Sequence, residues 1–318
     1  MTIKEKILIT DKVHPVLTEG LKQSGFDVHY DTSVENEDLK KIIQTYTGVI
    51  INSKIRMDVS MIDRGTKLKF IGRLGSGLEI IDVPYAKRKK IKVINSPEGN
   101  RNAVAEHEMG MLLALHNHLL RADREVRNFH WDREKNRGTE LKGKTLGIIG
   151  MGNTGCAFAE KLSSWGLNLL SYDKYRERYP ARLRFVRKCS FTDVLEQSDI
   201  ISLHLPLTKE TRYMVDAAFL SRCKDGVIIS NTSRGEIIDT QVLIDALASG
   251  KVSGACLDVF ENEKPETFGK KEQDMYRQLY AMEQVVLSPH IAGWTDESLK
   301  GIAFVLLQKI QKSLNIKM

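Results

Sequence analysis

The sequence is poor in cysteine and lacks any long apolar run. Its four cysteines, Cys156, Cys189, Cys223 and Cys256, form no C-x-x-C pair and no regular framework. This usage predicts a reducing, cytoplasmic compartment, and nothing in the sequence predicts a metal site. No apolar stretch approaches the ~18 residues that cross a bilayer, so we expect no membrane partner.

The charged residues are numerous but of mixed sign. The 48 Lys and Arg residues exceed the 41 Asp and Glu residues and give a net charge of +7, which would attract an anionic substrate. Because the two signs are mixed along the chain, most of this charge indicates an ordinary solvated surface. The basic clusters YAKRKKIK and RLRFVRK are short and lack interleaved stacking aromatics, so no nucleic-acid partner is expected.

Apolar strand-like runs alternate with helical patterns, which is typical of parallel sheets covered by helices. At roughly 150 residues per domain, the length of 318 residues predicts about two domains. In the first half the predicted strands are Ile7–Thr10, Phe26–Tyr30, Gly48–Asn52, Lys69–Gly72 and Ile91–Asn95. In the second half they begin at Thr145 and continue with Leu167–Tyr172, Ile200–Leu203, Val227–Ser230, Gly254–Leu257 and Val285–Ser288. A long apolar helix, Asn102–Arg124, is predicted between the halves, and a last helix, Thr295–Ser313, is left over.

Residues 145–174 are typical of a strand, a glycine turn, a helix and a second strand. The first strand ends in Gly150, Gly152 and Gly155, which have the spacing G-x-G-x-x-G. Gly150 permits a tight turn, Gly152 lets the backbone approach a pyrophosphate, and Gly155 allows the helix to pack closely on the strand. The unpaired amides of the helix N-terminus, with Asn153 and Thr154 in its first turn, would face the phosphates. The stretch therefore predicts a dinucleotide site.

Asp173 ends the second strand of this unit, 23 residues after Gly150. A carboxylate at this distance can accept hydrogen bonds from the adenosine ribose hydroxyls and would repel a 2′-phosphate. The predicted cofactor is therefore NAD rather than NADP. Lys174, Arg176 and Arg178 follow closely, and they could soften this preference by pairing with a phosphate.

Three residues further along could carry the chemistry of a nicotinamide enzyme. Such an enzyme needs an acid–base group, a cation that binds an anionic substrate, and a group that sets the pKa of the acid–base residue. Arg234, after the run VIISNTS, can bind a carboxylate with two parallel hydrogen bonds. Glu263 follows ACLDVF and His290 follows VVLSP, and a carboxylate beside an imidazole holds it in one tautomer. His204 also ends a strand and is the main rival histidine; otherwise it lines the cofactor cleft.

Five segments in order resemble the D-2-hydroxyacid dehydrogenase family, and most closely its short D-3-phosphoglycerate dehydrogenases. They are GIIGMGNTG, HLPLTKETR, NTSRGEIIDTQVLIDAL, GACLDVFENE and SPHIAGWT. The resemblance covers nearly the full chain and implies an α/β protein with two doubly wound parallel-sheet domains. A Rossmann NAD-binding domain, residues 99–291, would be inserted in a flavodoxin-like substrate-binding domain, residues 1–98 plus 292–318.

The resemblance also implies roles for individual residues. Arg234 would clamp the substrate carboxylate, and His290 would act as general acid and base with Glu263 as its partner. Besides the glycine turn and Asp173, the residues implied to bind NAD are His204, Pro206, Thr211, Thr232, Asp258 and Gly293. Those implied to bind the substrate with Arg234 are Ser76, Gly77 and Asn100. Lys54 is a further candidate for substrate binding, where the chain departs from the family pattern.

The resemblance further implies domain closure and a dimer. Closure about hinges near 98–100 and 291–293 would bring the loop around Ser76 onto the cofactor and expel water. The long helix from Asn102, with the polar segment containing Trp131, is similar to the dimer-forming region of the family, so we expect a homodimer. Because the sequence stops at Met318, the regulatory domain of longer D-3-phosphoglycerate dehydrogenases is expected to be absent.

One departure from the family pattern bears on the substrate. D-3-phosphoglycerate dehydrogenases commonly carry an Arg-Ser pair after the third strand, where this chain has Asn52 and Ser53, although Lys54 and Arg56 could supply the lost charge. The predicted reaction is NAD-dependent oxidation of D-3-phosphoglycerate to 3-phosphohydroxypyruvate, a step of serine biosynthesis. The alternative is reduction of hydroxypyruvate or glyoxylate, and a more distant one is an NAD(H)-sensing binding protein of the corepressor type.

Overall fold

A computed structural model of the protein describes residues 4–316 and divides into two compact units. The first unit is assigned Met1–Arg101 and Trp294–Met318, and the second Asn102–Gly293. The strands of each unit form one parallel sheet, so the predicted α/β class with two parallel sheets is confirmed.

The first unit has a five-stranded sheet in the order β2-β1-β3-β4-β5. Its strands are β1 (Lys6–Ile9), β2 (Asp27–Tyr30), β3 (Gly48–Ile51), β4 (Phe70–Arg73) and β5 (Lys92–Asn95). Its helices are α1 (Pro15–Gln23), α2 (Asn36–Ile42), α3 (Val59–Arg64), α4 (Val83–Arg88) and α12 (Asp296–Ser313). This order is that of the flavodoxin-like fold. The leftover C-terminal helix therefore belongs to the first unit, where Leu306 and Ile310 pack into the apolar core.

The second unit has a seven-stranded sheet in the order β12-β11-β10-β9-β6-β7-β8. Its strands are β6 (Thr145–Ile149), β7 (Asn168–Tyr172), β8 (Arg187–Lys188), β9 (Ile200–Leu203), β10 (Val227–Asn231), β11 (Val252–Leu257) and β12 (Val285–Leu287). Its helices are α5 (Arg101–His116, whose first residue is assigned to the first unit), α6 (Leu119–Arg127), α7 (Asn153–Lys161), α8 (Phe191–Gln197), α9 (Ala217–Ser221), α10 (Thr240–Ala248) and α11 (Lys270–Tyr280). Across residues 4–316, no helix has both the length and the apolar character needed to span a bilayer.

The strand order of the second unit reverses beside β6. From β6 the chain moves outward to β7 and β8, then returns to pair β9 on the other side of β6. Ligands of open parallel sheets bind in the crevice at the carboxyl ends of strands at such a switch point. The fold therefore places Gly150, after β6, and His204, after β9, at the expected ligand crevice.

The single long helix predicted from Asn102 to Arg124 is wrong in one respect, because the structure divides it into α5 and α6. His118 has a φ of 50°, in the left-handed region that ends an α-helix. The carbonyl oxygen of His116 accepts a hydrogen bond from the amide of Thr139 at 2.9 Å. A contact with a residue distant in the sequence thus helps to end α5, which the local apolar pattern could not indicate.

Candidate active site

The glycine turn after β6 is shaped by backbone packing. Gly150 has a φ of +95°, and a Cβ there would lie 2.3 Å from the carbonyl oxygen of His204. A Cβ on Gly155 would lie 2.1 Å from the carbonyl oxygen of Gly150. A Cβ on Gly152 would meet no described atom within 4 Å. Packing therefore requires the outer two glycines, whereas the middle one leaves the backbone open to a ligand.

Helix α7 begins directly at this turn. Gly152 is its N-cap residue and provides no side chain to cap the first amides. Asn153 and Thr154 form the first turn of a nine-residue helix. Exposed amides and the helix dipole make such an end suitable for binding a phosphate. These residues fit the pyrophosphate of a dinucleotide.

Asp173 lies beside the same turn. Its carboxylate accepts hydrogen bonds from the amides of Met151 at 2.7 Å and of Tyr175 and Arg176 at 2.9 Å. These bonds fix the carboxylate after β7, where a ribose is expected. Lys174 is paired with Glu210 at 2.6 Å, and the Arg176 guanidinium donates to the Met151 carbonyl at 2.8 Å. Two of the three cations that could bind a 2′-phosphate are therefore engaged by protein groups.

The segment after β9 borders the glycine turn. The side chain of His204 is only 2% exposed, and burial lowers its pKa. Among residues 4–316, its Nδ1 atom has no hydrogen-bond partner. Further along, the Thr211 hydroxyl donates to the Pro206 carbonyl at 2.7 Å and shapes the exposed loop. A buried, neutral imidazole is poorly placed to exchange protons with a substrate, so the structure disfavours His204 as the catalytic histidine.

His290 and Glu263 are brought together although 27 residues separate them in the sequence. Nδ1 of His290 lies 2.9 and 2.8 Å from the two carboxylate oxygens of Glu263. The side chains are 45% and 39% exposed, so solvent and small molecules can reach the pair. Burial raises the pKa of Glu263, but the His290 hydrogen bond, together with the charges of His290 and Arg234 and the Phe260 amide, lowers it below its usual value. Glu263 is therefore ionised at neutral pH and orients the imidazole.

Asp258 holds the backbone that carries His290. The carbonyl oxygen of Asp258 accepts the His290 amide at 2.7 Å, and its buried carboxylate accepts the amides of Ile291 at 2.9 Å and Ala292 at 2.8 Å. The Ser288 hydroxyl adds a bond of 2.6 Å to the same carboxylate. His290 has a φ of 56°, a left-handed conformation that is rare for non-glycine residues and often found at functional sites. Asp258 thus stabilises the loop in which this conformation occurs.

Arg234 lies three residues beyond β10, in the same unit. Its backbone carbonyl accepts from the Asn231 amide side chain at 2.8 Å, and its guanidinium donates to the Ser233 carbonyl at 2.6 Å. Its charge contributes to the lowered pKa of Glu263. Thr232 is 8% exposed and donates to the carboxylate of Glu108 at 3.2 Å. Arg234, Glu263 and His290 therefore form one electrostatically coupled group.

The other predicted substrate residues lie in the first unit. The carbonyl oxygen of Ser76 accepts from the side chain of Asn95 at 2.8 Å, which fixes the loop after β4 that also contains Gly77. Asn100 lies in the turn after β5. The ammonium group of Lys54 donates to the Thr32 carbonyl at 2.6 Å and lies 3.6 Å from Glu35. Lys54 therefore already has protein partners.

Residues of helix α5 were missed by the sequence reasoning. Nε2 of His107 lies 2.8 Å from the Ser288 hydroxyl and 3.6 Å from the carboxylate of Asp258. Glu108 is fully buried and accepts from the hydroxyls of Ser202, Ser230 and Thr232. The sequence pattern that could have indicated Glu108 is an acidic residue among apolar residues in a predicted helix.

Comparison with known proteins identifies close relatives of both units. The sequence model of the D-isomer specific 2-hydroxyacid dehydrogenase NAD-binding domain matches residues 109–292. A hydroxypyruvate reductase of Thermotoga maritima is 38% identical over 283 residues, which cover 89% of this chain and 90% of the relative. A D-3-phosphoglycerate dehydrogenase of Archaeoglobus fulgidus is 33% identical over 305 residues, 96% of this chain. The chain spans only 56% of the length of that relative.

Solved structures agree in fold. A D-lactate dehydrogenase from Aquifex aeolicus, complexed with NAD and lactic acid, has a TM-score of 0.83 and 29% identity. The alignment covers 98% of this chain and 96% of that structure. The similarity thus extends over both units.

Proposed function

The chain belongs to the D-2-hydroxyacid dehydrogenase family, with NAD as its cofactor, and we propose that it exchanges a hydride between NAD and a D-2-hydroxy acid. The observation that carries this proposal is the pair of His290 and Glu263, held within hydrogen-bonding distance and accessible to solvent. A fully buried pair would be typical of a purely structural role. This pair is partly exposed, so a substrate can reach it.

In the proposed reaction His290 moves the proton of the substrate hydroxyl. Because Glu263 accepts the hydrogen on Nδ1, the Nε2 atom is left to take the hydroxyl proton during oxidation and to return it during reduction. The negative charge of Glu263 stabilises the imidazolium that forms. Bound NAD supplies the hydride acceptor or donor.

Arg234 is proposed to hold the substrate carboxylate. Its planar guanidinium can make two parallel hydrogen bonds to a carboxylate and so fix the orientation of the adjacent carbon. We propose that the backbone amides of Ser76 and Gly77 and the side chain of Asn100 also contribute to substrate binding. Thr232, Asp258 and Gly293 are proposed to lie beside the nicotinamide half of the cofactor.

Replacing His290 by Asn tests the catalytic assignment. Asn tolerates a left-handed backbone better than most residues, so the loop should keep its shape while the acid–base group is lost. We expect kcat to fall by about 10²- to 10⁴-fold, the usual contribution of general acid–base catalysis, with NADH binding retained. Steady-state assays and NADH titration measure the two quantities.

The matched control is His118→Asn. His118 also has a left-handed backbone, with a φ of 50°. It lies at the start of α6 and is not among the proposed site residues. Its replacement should leave turnover unchanged. Full activity of the His290 variant would remove His290 from the proposed role.

The substrate is proposed to be a small 2-hydroxy acid, and two candidates differ by a phosphate. Resemblance and relatives of 33% identity favour D-3-phosphoglycerate. The structure of the first unit favours an unphosphorylated acid such as glycerate, because Asn52 replaces the expected arginine and accepts a hydrogen bond from Arg73 at 2.6 Å. Lys54, which could have replaced the lost charge, is bound by Thr32 and Glu35.

Comparing hydroxypyruvate with 3-phosphohydroxypyruvate separates these candidates. We expect the higher kcat/KM with hydroxypyruvate, because Arg73 and Lys54 near Asn52 already have protein partners. Lys54→Met should then leave the kcat/KM for hydroxypyruvate unchanged. A higher kcat/KM for the phosphorylated acid, reduced by Lys54→Met, would establish the phosphoglycerate assignment instead.

We propose that the protein is a homodimer formed through α6 and the segment after it. Five large apolar side chains there are about half exposed or more: Leu119, Leu120, Val126, Phe129 and Trp131. An apolar surface of this kind is typical of a protein–protein interface. The nearby sequence resembles the dimer-forming region of the family.

Sedimentation at micromolar concentration tests the dimer. The wild-type chain should sediment as a dimer, and Trp131→Ser should shift the population towards monomer because apolar interface area is lost. Trp294→Ser is the matched control, since Trp294 is 77% exposed, close to the 78% of Trp131, but lies in the first unit. A monomeric wild-type chain would contradict the proposed assembly.

A cytoplasmic location is also proposed. All four cysteines, Cys156, Cys189, Cys223 and Cys256, are free thiols. Burial raises the pKa of the Cys223 thiol to about 11, which keeps this thiol protonated and unreactive. Unpaired cysteines are typical of a reducing compartment.

A further inference from the structure

Glu108 is a fully buried acidic residue that the proposed reaction does not use. It lies in α5, and its carboxylate accepts hydrogen bonds from Ser202 at 2.5 Å, Ser230 at 2.6 Å and Thr232 at 3.2 Å. Burying a carboxylate costs free energy unless the group is hydrogen-bonded. Here three hydroxyl groups donate to a single carboxylate. Such an arrangement calls for a role beyond filling space.

The serine hydroxyls come from one row of the sheet. Ser230 of β10 is in register with Ser202 of β9, so their side chains lie side by side on the same face. Side chains alternate between the faces of a strand, so the residues two positions further on lie on the same face again. Those residues are His204 and Thr232, both proposed to line the cofactor site. The serine row therefore lies directly beneath the cofactor row.

Glu108 connects the two rows. Its Oε1 atom accepts both serine hydroxyls, while its Oε2 atom accepts the Thr232 hydroxyl and lies 3.5 Å from Nε2 of His204. One carboxylate thus contacts four side chains from β9 and β10 and the residues that follow them. Moving or neutralising it would release both rows together.

The protonation state of His204 determines which groups donate and which accept in this network. Its Nδ1 atom lacks a hydrogen-bond partner within residues 4–316, so a second proton there would be buried without an acceptor. The neutral ring therefore carries its hydrogen on Nε2, which donates to the Ser202 hydroxyl 2.8 Å away. Ser202 in turn donates to Glu108. This series of hydrogen bonds, from His204 through Ser202, therefore ends at the carboxylate of Glu108 and depends on it.

We propose that Glu108 is a positioning residue, which fixes Thr232 and His204 so that the pocket fits the nicotinamide half of the cofactor. The proposal rests on the proposed function, which places Thr232 beside the nicotinamide. Glu108 acts through these neighbours rather than by touching the reacting atoms. The adenosine half is held elsewhere, by the glycine turn and Asp173, and should not depend on Glu108.

Glu108→Gln tests the role with little change in volume. The NH₂ group of the introduced glutamine replaces one carboxylate oxygen of Glu108. The hydroxyl groups of one of the two rows then face a hydrogen-bond donor where they had an acceptor. We expect the Kd for NADH to rise about tenfold or more, while the Kd for ADP-ribose, which lacks the nicotinamide, stays within about twofold. Calorimetric titration of the full chain measures both. Glu106→Gln, an exposed position of the same helix, should change neither Kd.

Ser230→Ala provides a second variant in case Glu108→Gln does not fold. Ser230 lies in the lower row and donates to Glu108, so its replacement weakens the network without changing the carboxylate itself. We expect a smaller, selective rise in the Kd for NADH, about three- to fivefold for the loss of one hydrogen bond. Ser198→Ala is the matched control, since that buried serine donates to the Val194 carbonyl rather than to Glu108.

Equal weakening of NADH and ADP-ribose would overturn the positioning role, because it would show a general loss of structure. Unchanged NADH binding in both variants would overturn it as well. A wild-type chain that binds ADP-ribose but gains no affinity from the nicotinamide would instead contradict the proposed function. The two failures are therefore distinguishable.

Discussion

The site depends on the register of the parallel sheet in the second unit. Strands β6, β9, β10, β11 and β12 end at the same level, so the residue after each strand lies in one row: Gly150, His204, Thr232, Asp258 and Ser288. The backbone hydrogen bonds of the parallel ladder hold this alignment, and the buried apolar pattern of the strands selects its register. A slip of one residue in any strand would turn that side chain to the other face. The proposed cofactor site and the His290 loop are thus consequences of strand pairing.

Several parts of this arrangement could be predicted from the sequence because their physics is local. The positive φ of Gly150 and the short helix–strand distance at Gly155 follow from a few consecutive residues. The apolar runs of the strands are likewise local, and they indicated both sheets. The pair of His290 and Glu263 was predicted by family resemblance rather than by spacing, since 27 residues separate its members and many acids were available.

Other features could not be predicted, because they depend on residues distant in the sequence. The break between α5 and α6 is accompanied by a bond from Thr139 to the His116 carbonyl. The buried carboxylate of Glu108 is stabilised by serines 94 and 122 residues away. The ion pair of Lys54 with Glu35 likewise joins a residue after β3 to the residue that precedes α2. Pattern and propensity carry no information on such contacts.

Isotope transfer tests the central claim most directly. The protein would be incubated with NAD⁺ and D-glycerate or D-3-phosphoglycerate carrying deuterium at C2, and the NADH formed would be examined by mass spectrometry. The proposed reaction predicts deuterium in the NADH with a D-2-hydroxy acid and none with its L enantiomer. NADH without deuterium, or equal labelling from both enantiomers, would contradict direct hydride exchange with a D-2-hydroxy acid.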